Sequence, residues 1–202
     1  MSRLRRQVEA AGYATWARTY PSRKMPVTEL AGQIAAWVNE EIEGPVMAVT
    51  HSLGGILTRF VGDRVPWERI VMLAPPNRGS RVARALGENP VFKWYFGPAG
   101  RDVSNPEQWP LPTAPFGVIA GTKRVSVGNP PSWVTSSFRI IPKGIPSDGT
   151  VCVEETQLPS MAAYAEVAAS HTWIMNHPRV VEHVLSFLEQ GAFVPQDARL
   201  KG

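Results

Sequence analysis

The chain has 202 residues, 44% hydrophobic and 19% charged, enough apolar material for one compact domain and too much for a disordered one. Its net charge of +4 comes from scattered basic residues and not from a block, which argues against nucleic acid as a partner. No apolar run reaches the length of a membrane span, and Cys152, the one cysteine, excludes an internal disulfide.

The opening "MSRLRRQVEAAGY" is basic, but no continuous apolar core of a secretory signal follows, so a cytoplasmic location is expected. Leu4, Val8 and Ala11 instead mark one stripe of an amphipathic helix, ended by Gly12. The stretch "YATWARTY" (13–20) has strand-forming residues and stops at the loop Pro21-Ser22-Arg23. A second helix is expected next, capped by Thr28, with Leu30, Ile34, Trp37, Val38 and Ile42 on its apolar face and Gly44-Pro45 at its close.

Val46, Met47, Ala48 and Val49 read as a buried strand, followed by Ile56, Leu57 and Phe60 at helical spacing. "RIVMLAPP" (69–76) and "FGVIAG" (116–121) read as further buried strands. Between them, residues 87–115 are rich in proline, glycine and aromatics and too long for an ordinary connection. They are expected to form a small cap over an apolar pocket, with Phe92, Trp94, Tyr95, Phe96 and Trp109 touching substrate. "YAEVAAS" (164–170) is the last expected strand, His171 follows it, and Pro178 opens a final helix. Val181, Val184, Leu185 and Leu188 share a face of that helix, which turns His183 toward the surface. Strands alternating with helices give an α/β fold, a mostly parallel sheet with helices on both faces. Residues 1–194 form one domain, with 87–115 as a cap-like insertion and 195–202 as a flexible tail.

The chemistry is concentrated at Thr50-His51-Ser52-Leu53-Gly54, a strand-to-helix corner with a hydroxyl at the bend. A serine is a poor nucleophile unless a sharp turn exposes it and a base takes its proton. Gly54 supplies the small residue two positions on, whereas Thr50 stands where G-x-S-x-G has its first glycine. Four histidines could act as the base. His51 adjoins the serine and lines the back of the site; His183 lies within a helix; His177 precedes the helix proline and suits a cap. His171, directly after a strand and later in the chain than Ser52, is the best placed. The acid should lie in a rigid turn between the two, and Asp148-Gly149 offers one. Asp63 and Asp102 are worse placed, and Glu154 and Glu155 are fallback acids that look solvent-facing. Cys152 is expected to be buried.

"VTHSLGG", "VMLAPPNRGS", "SDGTVCVEETQLPSM" and "SHTWIMNHPRVVEHVLSFL" together resemble the α/β-hydrolase superfamily, near bacterial lipases and carboxylesterases, from about residue 13 to 193. The resemblance implies a Ser-Asp-His order on Ser52, Asp148 and His171, with the Leu53 N–H as one oxyanion donor. It also implies an upstream strand and a His-Gly loop carrying a second donor, which this sequence lacks. The fold is therefore expected to be shortened at its N-terminal end, with Pro21-Ser22-Arg23 the nearest substitute.

The expected activity is cleavage of small esters or lipids through an acyl-enzyme, without cofactor or metal. Transient contact with a lipid surface and a homodimer through an open sheet edge are further expectations. The rivals are a non-catalytic binding protein on the same fold and an acyltransferase using the same three residues.

Overall fold

The computed structural model describes residues 1–22, 24–86, 106, 109–124, 140–142 and 144–195. Four strands, β1 (Val46–His51), β2 (Trp67–Leu73), β3 (Phe116–Gly121) and β4 (Ala163–Val167), form one sheet in the order β1-β2-β3-β4. Every neighbouring pair is parallel. Parallel strands need covered crossovers, and the chain supplies helices for both faces.

Side-chain alternation assigns those faces. Val71 and Leu73 of β2 and Ile119 of β3 share a cluster with Leu4 and Val8 of α1 (Ser2–Ala10) and with Val180, Val184 and Phe187. The latter three lie on the last helix, Pro178–Gln190. On the other face, Ile70, Met72, Phe116 and Val118 point away from that cluster. There α3 (Leu53–Val61) lies over β2: a Cβ on Gly55 would meet Met72 at 3.4 Å and Pro75 at 2.9 Å. Outside α3, Leu30, Ala31, Ala35 and Val38 of α2 (Val27–Glu41) pack onto Ile56, Leu57 and Val61. β3 is buried at all six positions, as a strand covered on both faces must be. No helix among the described residues is long and apolar enough to cross a membrane.

Several local expectations need correction. Residues 13–20 form no strand; side chains tie them to the flanking helices. Trp16 donates from Nε1 to Glu41 at 2.7 Å, Arg18 pairs with the same carboxylate, and Thr15 bonds Glu9 of α1. A strand exists only through a paired neighbour, and strand-forming composition cannot provide one. Helix α2 begins at Val27 after Pro26, so Thr28 lies inside its first turn and is not the cap. Ala11 is exposed, outside the apolar stripe. His183 is buried, 3% exposed, because the inward stripe of the last helix runs through Val180, His183, Val184 and Phe187. Its ring packs on Phe193 at 5.1 Å.

Candidate active site

β1 ends at His51, and the chain turns into α3 through Ser52 at φ 53° and ψ −122°, a left-handed conformation that costs a non-glycine residue roughly 1–3 kcal/mol. The turn is held open from β2, whose Leu73 carbonyl accepts the Ser52 N–H at 2.9 Å. A Cβ on Gly54 would stand 3.2 Å from the Thr50 Cβ, so the bend tolerates a branched residue at position 50 only because position 54 has none. The Thr50 hydroxyl meanwhile bonds the Val71 carbonyl at 3.3 Å. Because α3 starts here, the Leu53 N–H has no intrahelical partner and among the described residues meets no protein acceptor, whereas the Gly55 N–H turns back to the Ser52 carbonyl at 3.0 Å.

The structure joins Ser52, His171 and Asp148 by hydrogen bonds. Ser52 Oγ lies 3.0 Å from His171 Nε2, and His171 Nδ1 lies 2.6 Å from Asp148 Oδ2. An ionised carboxylate only accepts, so Nδ1 carries the ring proton and Nε2 presents a lone pair to the serine. Asp148, 1% exposed, is held by its own turn: Oδ1 accepts the N–H groups of Thr150 at 2.9 Å and Val151 at 2.7 Å. Its backbone carbonyl also takes the His171 N–H at 3.1 Å. Acid and base are thereby tied by main chain and side chain together.

His51 is half-buried and packs against the base. Its Nε2 lies 2.9 Å from the His171 carbonyl, and the two rings are 4.7 Å apart and tilted by 46°. Burial first, and then the neighbouring His171, pull its pKa down to about 3, so it is neutral at physiological pH. His177 caps the last helix, accepting the Arg179 N–H at 3.2 Å.

Phe92, Trp94, Tyr95 and Phe96 lie outside the described residues, as does Asp102. The Trp109 ring packs on Phe60 at 6.3 Å and under the Arg59 guanidinium at 5.4 Å, eight and seven residues after Ser52 on α3. Of the substitute oxyanion loop, the Ser22 N–H is already bonded to the Tyr20 carbonyl at 2.9 Å, and Arg23 lies outside the described residues. Asp63 is exposed and Cys152 fully buried, its thiol pushed up to about 12 by burial.

Two residues matter that sequence reasoning misplaced or passed over. Glu155 is buried, not solvent-facing, and burial raises its pKa. Its carboxylate accepts the Cys152 N–H at 2.8 Å and the Arg81 N–H at 2.6 Å, bracing the chain just after the Asp148 turn. The signal was a capping box from Cys152 to Glu155, obscured by a cysteine in the serine's usual place. Arg59, 2% exposed, donates to the carbonyls of Pro110 at 2.7 Å, Asn77 at 2.8 Å and Trp109 at 3.3 Å. Among the described residues no three His, Cys, Asp or Glu side chains gather to hold a metal.

No protein-family model and no curated protein matches the chain. Solved structures do. The mature lipase BlEst2 of Bacillus licheniformis superposes with a TM-score of 0.71 at 17% identity, over 92% of this chain and 82% of that one. The metagenomic carboxyl esterase MGS0156 gives 0.67 at 19% identity, over 83% and 57%. Phospholipase PlaB of Legionella pneumophila gives 0.53 at 19% identity, over 77% and 41%. The chain thus spans less than two thirds of the latter two. At these identities the likeness establishes the α/β-hydrolase fold.

Proposed function

We propose that the chain is a serine hydrolase that cleaves carboxylic esters through an acyl-enzyme on Ser52. The observation that carries this reading is the continuous chain of bonds from Ser52 Oγ through both nitrogens of His171 to a buried Asp148, at a strained strand-to-helix bend. Ser52 Oγ attacks the ester carbonyl carbon while His171 Nε2 takes its proton. The oxyanion that forms meets the Leu53 N–H at the positive end of α3. Collapse of the intermediate breaks the ester C–O bond, and His171 returns the proton to the departing alcohol. Water then attacks the acyl-serine, again giving its proton to His171, and the acid leaves with Ser52 restored. Asp148 keeps the imidazole in one tautomer throughout.

The ester preference is supported by the names of the similar structures, a lipase, a carboxyl esterase and a phospholipase. The aromatic-rich stretch 87–115 is the expected seat of an apolar acyl group. A fluorophosphonate probe tests the reading: an adduct mapped to Ser52, absent in Ser52→Ala, is the expected result. Folded protein that takes no adduct at Ser52 would end it.

A further inference from the structure

We infer that His51 is a positioning residue, whose Nε2–H fixes the backbone of His171 so that the end of one strand places both nucleophile and base. The inference rests on the reading of Ser52 and His171 given above. A carbonyl can only accept, so the 2.9 Å contact to the His171 oxygen puts the His51 proton on Nε2. The His171 N–H bonds the Asp148 carbonyl at 3.1 Å, and its ring bonds Asp148 Oδ2 at 2.6 Å and Ser52 Oγ at 3.0 Å. The N–H thus ties the His171 main chain to the acid. The His51 contact ties its carbonyl to the residue beside the nucleophile.

His51 adds a main-chain reference on the serine's side. It precedes Ser52 directly, at the end of a strand whose own position is fixed by Thr50 on Val71 and by the Ser52 N–H on Leu73. One dipeptide therefore sends a hydroxyl to the reactive nitrogen of His171 and an N–H to its peptide oxygen.

The residue type follows from charge. The ring stands 4.7 Å from an imidazole that becomes cationic during the reaction, so a lysine or arginine making the same bond would disfavour that cation. A neutral donor of the same reach does not. Glutamine, whose amide nitrogen can stand near the imidazole Nε2 position, is the conservative replacement; phenylalanine keeps the ring and loses the donor.

The test compares wild type, His51→Phe and His51→Gln on one soluble ester. His51→Phe is expected to lower kcat by roughly 10- to 100-fold with KM within about twofold, the scale of a misplaced reacting group. His51→Gln is expected to recover most of that loss. Equal kcat in all three, or a loss confined to KM, would overturn the proposal. So would equal losses in Phe and Gln variants of unchanged melting temperature.

The wild-type protein gives an independent measurement, which stands if the variants fail to fold. Imidazole nitrogen shifts at neutral pH should show His51 neutral with its proton on Nε2; a proton on Nδ1 would overturn the tie. Should wild-type Ser52 take no fluorophosphonate, the hydrolase reading fails separately, while the tautomer still decides whether His51 holds the His171 carbonyl.

Discussion

Gly121 and Asp148 approach so closely that a Cβ on the glycine would lie 2.8 Å from the Cβ of the aspartate, and 2.6 Å from the carbonyl oxygen of Ala169. The last residue of β3 thus leaves room for two loops at once: the turn that carries the acid, and the segment two residues before the base. Gly121→Ala must push one of them away. With a backbone oxygen as the nearer contact, little relaxation is available, and a stability loss of about 1–3 kcal/mol is expected from overpacking. The kinetic effect should exceed what that loss explains, because a shift of about 1 Å in a reacting group costs up to roughly 100-fold. Gly117→Ala is the control. It is equally crowded, 2.6 Å from Phe193 and 3.0 Å from Phe187, but at the opposite end of the same strand. Steady-state kinetics and thermal melts should show both variants destabilised and Gly121→Ala alone with depressed kcat.

Asp148→Asn tests the acid without changing its volume. The turn N–H groups of Thr150 and Val151 still need an acceptor, so the amide oxygen is expected to stay with them. That turns an NH2 toward His171 Nδ1, forces the ring proton onto Nε2 and removes the lone pair offered to Ser52. A fall in kcat of about 10⁴ is expected, with KM little changed. Retention of wild-type turnover would remove Asp148 from the mechanism.

What the sequence made legible was the part encoded locally. The bend at Ser52 declares itself through a β-branched run, small residues and a helical repeat within fifteen positions. β3 is bounded by Pro115 and by Gly121 and was readable to the residue. The pairing of Ser52 with Asp148 and His171 came from motif order, which a single chain carries. What stayed hidden was set by neighbours far along the chain. The phase of the last helix is ambiguous in the sequence because Val181 and Leu185 are as apolar as Val180 and Phe187, and only the sheet beneath decides which stripe faces inward. Arg59 reads as a solvated cation on a helix until the carbonyls of Asn77, Trp109 and Pro110 are folded around it.

Arg59 leads to a stability prediction. Its guanidinium, buried enough for its pKa to fall to about 10, remains charged at neutral pH and meets carbonyls in place of a carboxylate. Arg59→Met fills similar space but strands the Asn77 and Pro110 carbonyls without donors. A loss of about 2–4 kcal/mol is expected, or roughly 4–16 °C in Tm for a domain this size. Arg59→Lys should recover less than half, since a single ammonium cannot follow the fork to three oxygens. Melting curves of the three proteins check this, and a lysine variant as stable as wild type would contradict the fork argument.

Two histidines with lowered pKa values contribute to the acid limb of stability. His51 and His183 both have lowered pKa values, His51 to about 3 from an ordinary 6.5, with burial the leading cause in each. Around the His183 ring the charged neighbours are Arg179, which lowers its pKa further, and Glu182, which raises it. Well above pH 6.5 neither histidine binds a proton in the folded or the unfolded chain, so neither contributes a slope. As pH falls toward and below 6.5 the unfolded chain takes up protons at these sites more readily than the folded protein, and stability falls with pH by about 1.4 kcal/mol per unit for each full proton of difference. Glu155, with its pKa raised by burial, acts in the opposite sense at the acid end, so the comparison is best made between proteins. Denaturant titrations between pH 7.5 and about pH 5 should give His183→Gln a shallower decline than wild type. Parallel curves for the two proteins would show that His183 takes up its proton as readily folded as unfolded.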